Sequence, residues 1–202
     1  MRLYHSPTTP YGRKVMVLLL ETGQAGDVEI VSASGTPLDP GSQPLGANPL
    51  GKIPALELAD GPAIYDSRVI CRYFDDRAAG GFYPPAPRLW QVLTLEATGD
   101  GILEAALLMV YESRLRPEEL RYSPWVEGQW TKIARALDAL ESRWISQLNG
   151  PLDMGHVAVG CALSYLDFRH ADRNWRNGHP ELAKWHQGFA ARNSMKATEP
   201  QG

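Results

Sequence analysis

The chain has 202 residues, 44% of them hydrophobic, which suits one large globular domain or two small ones. Its 20 basic and 23 acidic residues leave a formal net charge of -3 with no basic run, so nothing in the charge favours nucleic acid or an anionic membrane as partner. The opening Met1-Arg2-Leu3-Tyr4 carries no apolar leader, no stretch is long and apolar enough for a membrane helix, and Cys71 and Cys161 match no metal spacing; a cytoplasmic protein with two buried reduced thiols and no metal is expected.

Met1 to Tyr4 reads as a short strand, and Ser6-Pro7-Thr8-Thr9-Pro10-Tyr11 as a turn whose last proline stands where a helix begins. Val15, Leu18 and Leu19 give that helix an apolar face. Val28-Glu29-Ile30-Val31 is a second strand, and Ser34 to Asn48, rich in Gly and Pro, is a loop. Two prolines and a glycine then crowd in before Ala55-Leu56-Glu57-Leu58, so the chain leaves a turn and enters a strand at Pro54. A cis Ile53-Pro54 bond there turns the Ile53 amide and carbonyl outward, where they can pair with an extended peptide. After Asp60-Gly61-Pro62 and a short strand at Ala63-Ile64-Tyr65, Asp66 and Ser67 open a helix. A helix start offers amide donors and a partial positive charge to a carboxylate, while the Asp66 side chain can pair with an ammonium group. Strand edge and amino-acid clamp together describe a site for a small peptide with a free α-amino acid end, on a βαβββα order that looks thioredoxin-like.

Composition shifts at Ala78-Ala79-Gly80-Gly81-Phe82-Tyr83-Pro84-Pro85, a linker, and beyond it the β signals stop. Leu89, Val92, Leu93, Leu103, Ala106, Leu107 and Val110 fall at helical steps, and Val126, Trp130, Ile133, Leu137, Leu140 and Trp144 repeat the pattern. Asp153 is an N-cap before Val157-Ala158-Val159-Gly160-Cys161-Ala162-Leu163, apolar on nearly all sides as the central helix of a bundle is. Leu182, Trp185 and Phe189 behind Pro180 form one more helix. The expected architecture is α+β, with residues 1–80 as a thioredoxin-like domain and 86–202 as an all-α helical bundle.

Asn48-Pro49-Leu50-Gly51-Lys52-Ile53-Pro54-Ala55-Leu56 and Tyr65-Asp66-Ser67-Arg68-Val69-Ile70 resemble the N-P-x-G-x-V/I-P-x-L and E/D-S-x-x-I elements of the glutathione transferase family. Arg121-Tyr122-Ser123-Pro124-Trp125 and Ser164-Tyr165-Leu166-Asp167-Phe168-Arg169 are similar to its bacterial members. The resemblance implies that glutathione is the co-substrate, held by Lys52, Ile53, Pro54, Asp66 and Ser67. Thiol-redox relatives carry Cys-Pro-Tyr-x-Arg where this chain has Thr9-Pro10-Tyr11-Gly12-Arg13. A threonine cannot exchange disulfides, but its hydroxyl can donate a hydrogen bond to the glutathione sulfur. Thr9 aligns with the position that is Ser or Cys in the serine- and cysteine-type classes, so the resemblance implies it as the thiolate donor, with Ser6 and Tyr4 as rivals.

The family also implies a homodimer, with Asp100 either at the dimer edge or on a water-facing side of its helix. A small electrophile is expected against the helix that carries Met109, Tyr111 and Arg114. Where family members commonly place an aspartate three residues after the Asp153 cap, this chain has His156, whose position against the helix dipole leads one to expect a weaker cap. Two functions remain open at this point: a glutathione S-transferase, or a non-catalytic binding protein on the same fold.

Overall fold

In the computed structural model, which describes residues 1–200, β1 (Arg2–His5) runs parallel to β2 (Glu29–Ser32) and antiparallel to β3 (Ala55–Glu57), in the sheet order β2-β1-β3. Parallel neighbours need a crossover, supplied by α1 (Pro10–Glu21). Alternation along β1 sends Leu3 and His5 into the interior and leaves Arg2 exposed and Tyr4 half-buried on the other face. α1 buries Val15, Leu18 and Leu19, and α2 (Ser67–Ala78) packs against it through Ile70, Cys71 and Phe74. Ala63-Ile64-Tyr65 does not form the expected strand: a single antiparallel bridge joins Leu56 to Ile64. Pro62 withholds a donor just before this segment and the α2 cap follows just after it, so no room is left for a ladder.

The chain forms two compact units, one comprising Met1–Pro84 and the segment from Asn193 onward, the other Pro85–Arg192. The return of the C-terminal segment to the first unit has no signal in the sequence pattern. Within that unit α8 (Asn193–Ala197) packs on α1, tied by the buried Arg13, whose guanidinium donates to the Met195 carbonyl at 2.9 Å and to Thr198 Oγ1 at 3.3 Å.

The second unit is helical: α3 (Arg88–Leu115), α4 (Ser123–Ala139), a π-helical turn at Leu140–Trp144 leading into α5 (Ile145–Leu148), α6 (Met154–Arg169) and α7 (Pro180–Ala190). α6 is buried on all sides through Leu163 and lies along α3. At their crossing a Cβ on Gly99 would stand 2.7 Å from the Ala158 carbonyl carbon, so only glycine permits that approach. The His170 ring joins Nε2 to the Ala106 carbonyl at 3.0 Å. Asp100 is 2% exposed, which corrects the expectation of a water-facing position: it shares the buried stripe of Glu96 and Leu103, because α3 has both α4 and α6 packed on it.

The cap of α6 also departs from expectation. Asp153 accepts the His156 backbone N–H at 3.3 Å, and the same oxygen lies 2.7 Å from His156 Nδ1, so the histidine adds a bond to the cap rather than weakening it. Cys71 and Cys161 are both buried, and neither is in a disulfide.

Candidate functional site

Strand register gathers the predicted binding residues at one end of the sheet. The β1–β3 pairing matches Tyr4 with Ala55, which continues to His5 opposite Pro54; the Leu56–Ile64 bridge continues to Asp66 opposite Pro54. The corner between β1 and α1, the start of β3 and the start of α2 therefore lie side by side.

Thr9 is the N-cap of α1, half-buried and extended at φ -83° and ψ 120°. Its backbone is engaged, with N–H donating to the Ser6 carbonyl and C=O accepting from Arg13. Its hydroxyl makes no cap bond and has no hydrogen-bond partner among the described residues. Ser6 Oγ lies 3.2 Å from Thr8 Oγ1 and accepts from the Thr8 N–H, so that pair closes the turn. Tyr4 faces away on the opposite side of the sheet; burial and then the Glu57 carboxylate push its phenol above the ordinary pKa.

The Ile53-Pro54 bond is cis, and among the described residues neither the N–H nor the C=O of Ile53 has a backbone partner. The turn before it is built by the buried Asn48, whose side chain donates to the Lys52 carbonyl at 2.8 Å and accepts from the Leu50 N–H at 3.0 Å. That clasp fixes the backbone on which the exposed Lys52 stands. Asp66 caps α2 by accepting the Arg68 N–H at 3.0 Å with one oxygen, is itself exposed, and is followed by the buried Ser67.

One buried group was missed by sequence reasoning. His5 is 9% exposed, its Nδ1 has no partner among the described residues, and burial lowers its pKa to about 4, so the ring is neutral at physiological pH. A histidine ending a strand beside a Thr-Pro corner was the available signal, as Asn48 before a Pro-Leu-Gly turn was for the clasp.

The three residues expected at the electrophile site lie on α3 in the second unit. Tyr111 and Arg114, three residues apart, share a face, half-buried and exposed respectively, and burial raises the Tyr111 pKa so that the phenol stays protonated. Met109 points elsewhere on the helix and is 4% exposed, within the helical core.

Residues 8–77 match the glutathione S-transferase N-terminal domain, and residues 123–188 the glutathione S-transferase C-terminal domain. The chain belongs to the glutathione S-transferase family. Among curated proteins of this family, it is 31% identical to the uncharacterized GST-like protein YibF of Escherichia coli strain K12, over 99% of this chain and 98% of that one. Among solved structures it is similar to a glutathione transferase family member from Pseudomonas fluorescens Pf-5 with bound glutathione, at 45% identity, TM-score 0.97, and coverage of 100% and 99% of the two chains. A second structure of that description, with bound S-(propanoic acid)-glutathione, matches at 45% identity and TM-score 0.93 over 100% of both chains. A glutathione S-transferase from Methylobacillus flagellatus KT with glutathione bound matches at 35% identity and TM-score 0.88 over 99% of each chain. The thioredoxin-like first unit and the helical second unit are those of the family fold. Among the described residues no helix is long and apolar enough to cross a membrane, and no cluster of His, Cys, Asp and Glu could hold a metal ion.

Proposed function

We propose that this protein is a cytoplasmic, homodimeric glutathione transferase that binds glutathione in its first unit, activates the thiol through Thr9 and transfers the sulfur to a small electrophile. The observation that carries this reading is the Thr9 hydroxyl, without a partner among the described residues at the N-terminus of a 12-residue helix that follows the end of β1, where strand register sets His5 and Asp66 opposite Pro54. Ile53 pairs with the ligand backbone, Lys52 reaches the glycine carboxylate, and the α2 start with Ser67 takes the γ-glutamyl carboxylate. Asp66, with one oxygen committed to its cap, uses the other for the ammonium group.

A free thiol with pKa ~8.5 is only a few per cent ionised at pH 7, and each unit of depression stabilises the thiolate by about 1.4 kcal/mol. A hydroxyl donor together with the partial positive charge of the α1 start favours the thiolate by roughly one to two units. The thiol proton leaves to solvent; the thiolate sulfur then bonds to the electrophilic carbon, which expels its leaving group with the bonding pair or, in an addition, passes its π electrons to the neighbouring atom, which takes up a proton from solvent. Tyr111 and Arg114 of α3 are assigned to the electrophile, and Met109, in the helical core, is not. The glutathione thioether held by the Pseudomonas relative has the chemical form of such a product, which supports transfer over simple binding.

The test is titration of the bound thiolate by its ultraviolet absorbance. The parent protein should show a bound thiol pKa depressed by about one to two units, and Thr9→Ala should abolish most of that shift with little loss of glutathione affinity. An unshifted thiol in the parent would transfer the chain to the alternative class, a glutathione-binding protein without transferase activity.

A further inference from the structure

Three atoms converge on one point at the β1–α1 corner. A Cβ built on Gly12 would lie 2.1 Å from His5 Nδ1, 2.9 Å from His5 Cε1 and 2.7 Å from the Thr9 methyl carbon Cγ2. The His5 ring thus occupies the space that a side chain at position 12 would fill, and the Thr9 methyl rests in the same notch. We propose that His5 is a positioning residue: its ring, seated on Gly12, holds the Thr9 methyl and thereby sets the direction of the Thr9 hydroxyl. This rests on the reading of Thr9 as the thiolate donor.

Threonine carries its methyl and hydroxyl on one carbon, so a single χ1 angle orients both. Once the methyl is seated, the oxygen has one direction left. Serine in the same place would have no methyl to seat and would sample several. The Thr9 hydroxyl is not spent on the helix cap, so the seated rotamer keeps it available to a ligand atom. Fold stability does not account for the histidine: its buried Nδ1 lacks a partner, and an aliphatic side chain would fill the volume without leaving a desolvated nitrogen. The ring is also neutral, so it acts on Thr9 through shape and places no charge of its own beside the sulfur.

A double-mutant cycle read by the pKa of the bound glutathione thiol tests the proposal. His5→Ala should raise that pKa by about one unit while changing glutathione affinity less than about twofold, and should add nothing further in a Thr9→Ala background. In a Thr9→Ser background, where no methyl needs seating, His5→Ala should move the pKa by less than about 0.3 unit. A His5→Ala protein whose thiol titrates like the parent's, while Thr9→Ala shifts it, overturns the proposal and leaves the transferase reading standing. An equal His5→Ala effect in the threonine and serine backgrounds also overturns it, since that marks a general structural disturbance. If the parent's bound thiol is itself unshifted, the transferase reading fails and takes this role with it.

A second measurement needs no variant. In the parent, nuclear Overhauser contacts between the Thr9 methyl and the His5 Hε1, with couplings of a single χ1 rotamer, support the seat; averaged couplings and no contact refute it even where His5→Ala fails to fold.

Discussion

His156 Nδ1 lies 2.7 Å from Asp153 Oδ1 across the first turn of α6, both residues buried, while Arg88 Nη2 reaches the other carboxylate oxygen at 3.0 Å. Burial pushes the Asp153 carboxyl up, but the bonds from His156, Arg88 and the backbone outweigh it and hold the pKa below its ordinary 3.8. A depressed carboxyl contributes stability above its unfolded pKa and loses it as pH falls through the folded value, here in the range below about pH 4. At neutral pH, Asp153→Ala should destabilise the protein by about 3 kcal/mol, read from denaturant midpoints, because it strips the cap and leaves the buried His156 Nδ1 without its partner, while Arg88 keeps the Pro151 carbonyl. A loss below about 0.5 kcal/mol would show that the cap is dispensable.

His5 makes stability pH-dependent in a different window. Its pKa falls from 6.5 in the unfolded chain to about 4 in the fold, so between these values the unfolded state binds more protons. Stability is full above about pH 6.5 and declines as pH drops toward 4, by at most roughly 3 kcal/mol. His170, also lowered mainly by burial, acts in the same direction. Unfolding free energies at pH 7 and 4.5 should differ less in His5→Phe than in the parent; equal slopes would place the proton uptake elsewhere.

Asp66 has two duties that substitutions can separate. Asp66→Asn keeps an oxygen for the Arg68 N–H but loses the charge, so calorimetry should show glutathione affinity down about tenfold or more, with stability nearly unchanged. Asp66→Ala should weaken affinity similarly and cost about 1 kcal/mol of stability besides. Parent-like affinity in Asp66→Asn would remove the ammonium clamp from the site.

Arg13 holds the returning C-terminal segment by two hydrogen bonds, to Met195 and Thr198. Arg13→Ala should release α8 from α1, and trypsin should then cut at the exposed Lys196 at least about tenfold faster than in the parent, as local opening becomes more populated. Unchanged cleavage would mean that the packing of Met195 and the hydrogen bond from Ser194 to Glu21 suffice.

Much of this molecule is legible in its residues because local rules govern it. Pro10 and Pro54 limit where α1 and β3 begin, Asp66 and Asp153 cap α2 and α6, and apolar residues at helical steps announce α3, α4, α6 and α7. The motifs around Ile53-Pro54 and Asp66-Ser67 carry the family with them. What the sequence could not decide depends on neighbours distant in the chain. Ala63-Ile64-Tyr65 has strand-like residues, but Pro62 and the α2 cap leave it a single bridge. Asp100 looks like a solvated helix residue until α4 and α6 enclose α3, and His156 opposes the helix dipole yet strengthens the cap because its ring folds back onto Asp153. The return of α8 to Arg13 and the meeting of His5, Gly12 and the Thr9 methyl are three-dimensional coincidences of side chains whose separate propensities point nowhere. Propensity acts over a few residues, whereas burial and the pairing it enforces are set by whatever the closed fold brings within contact.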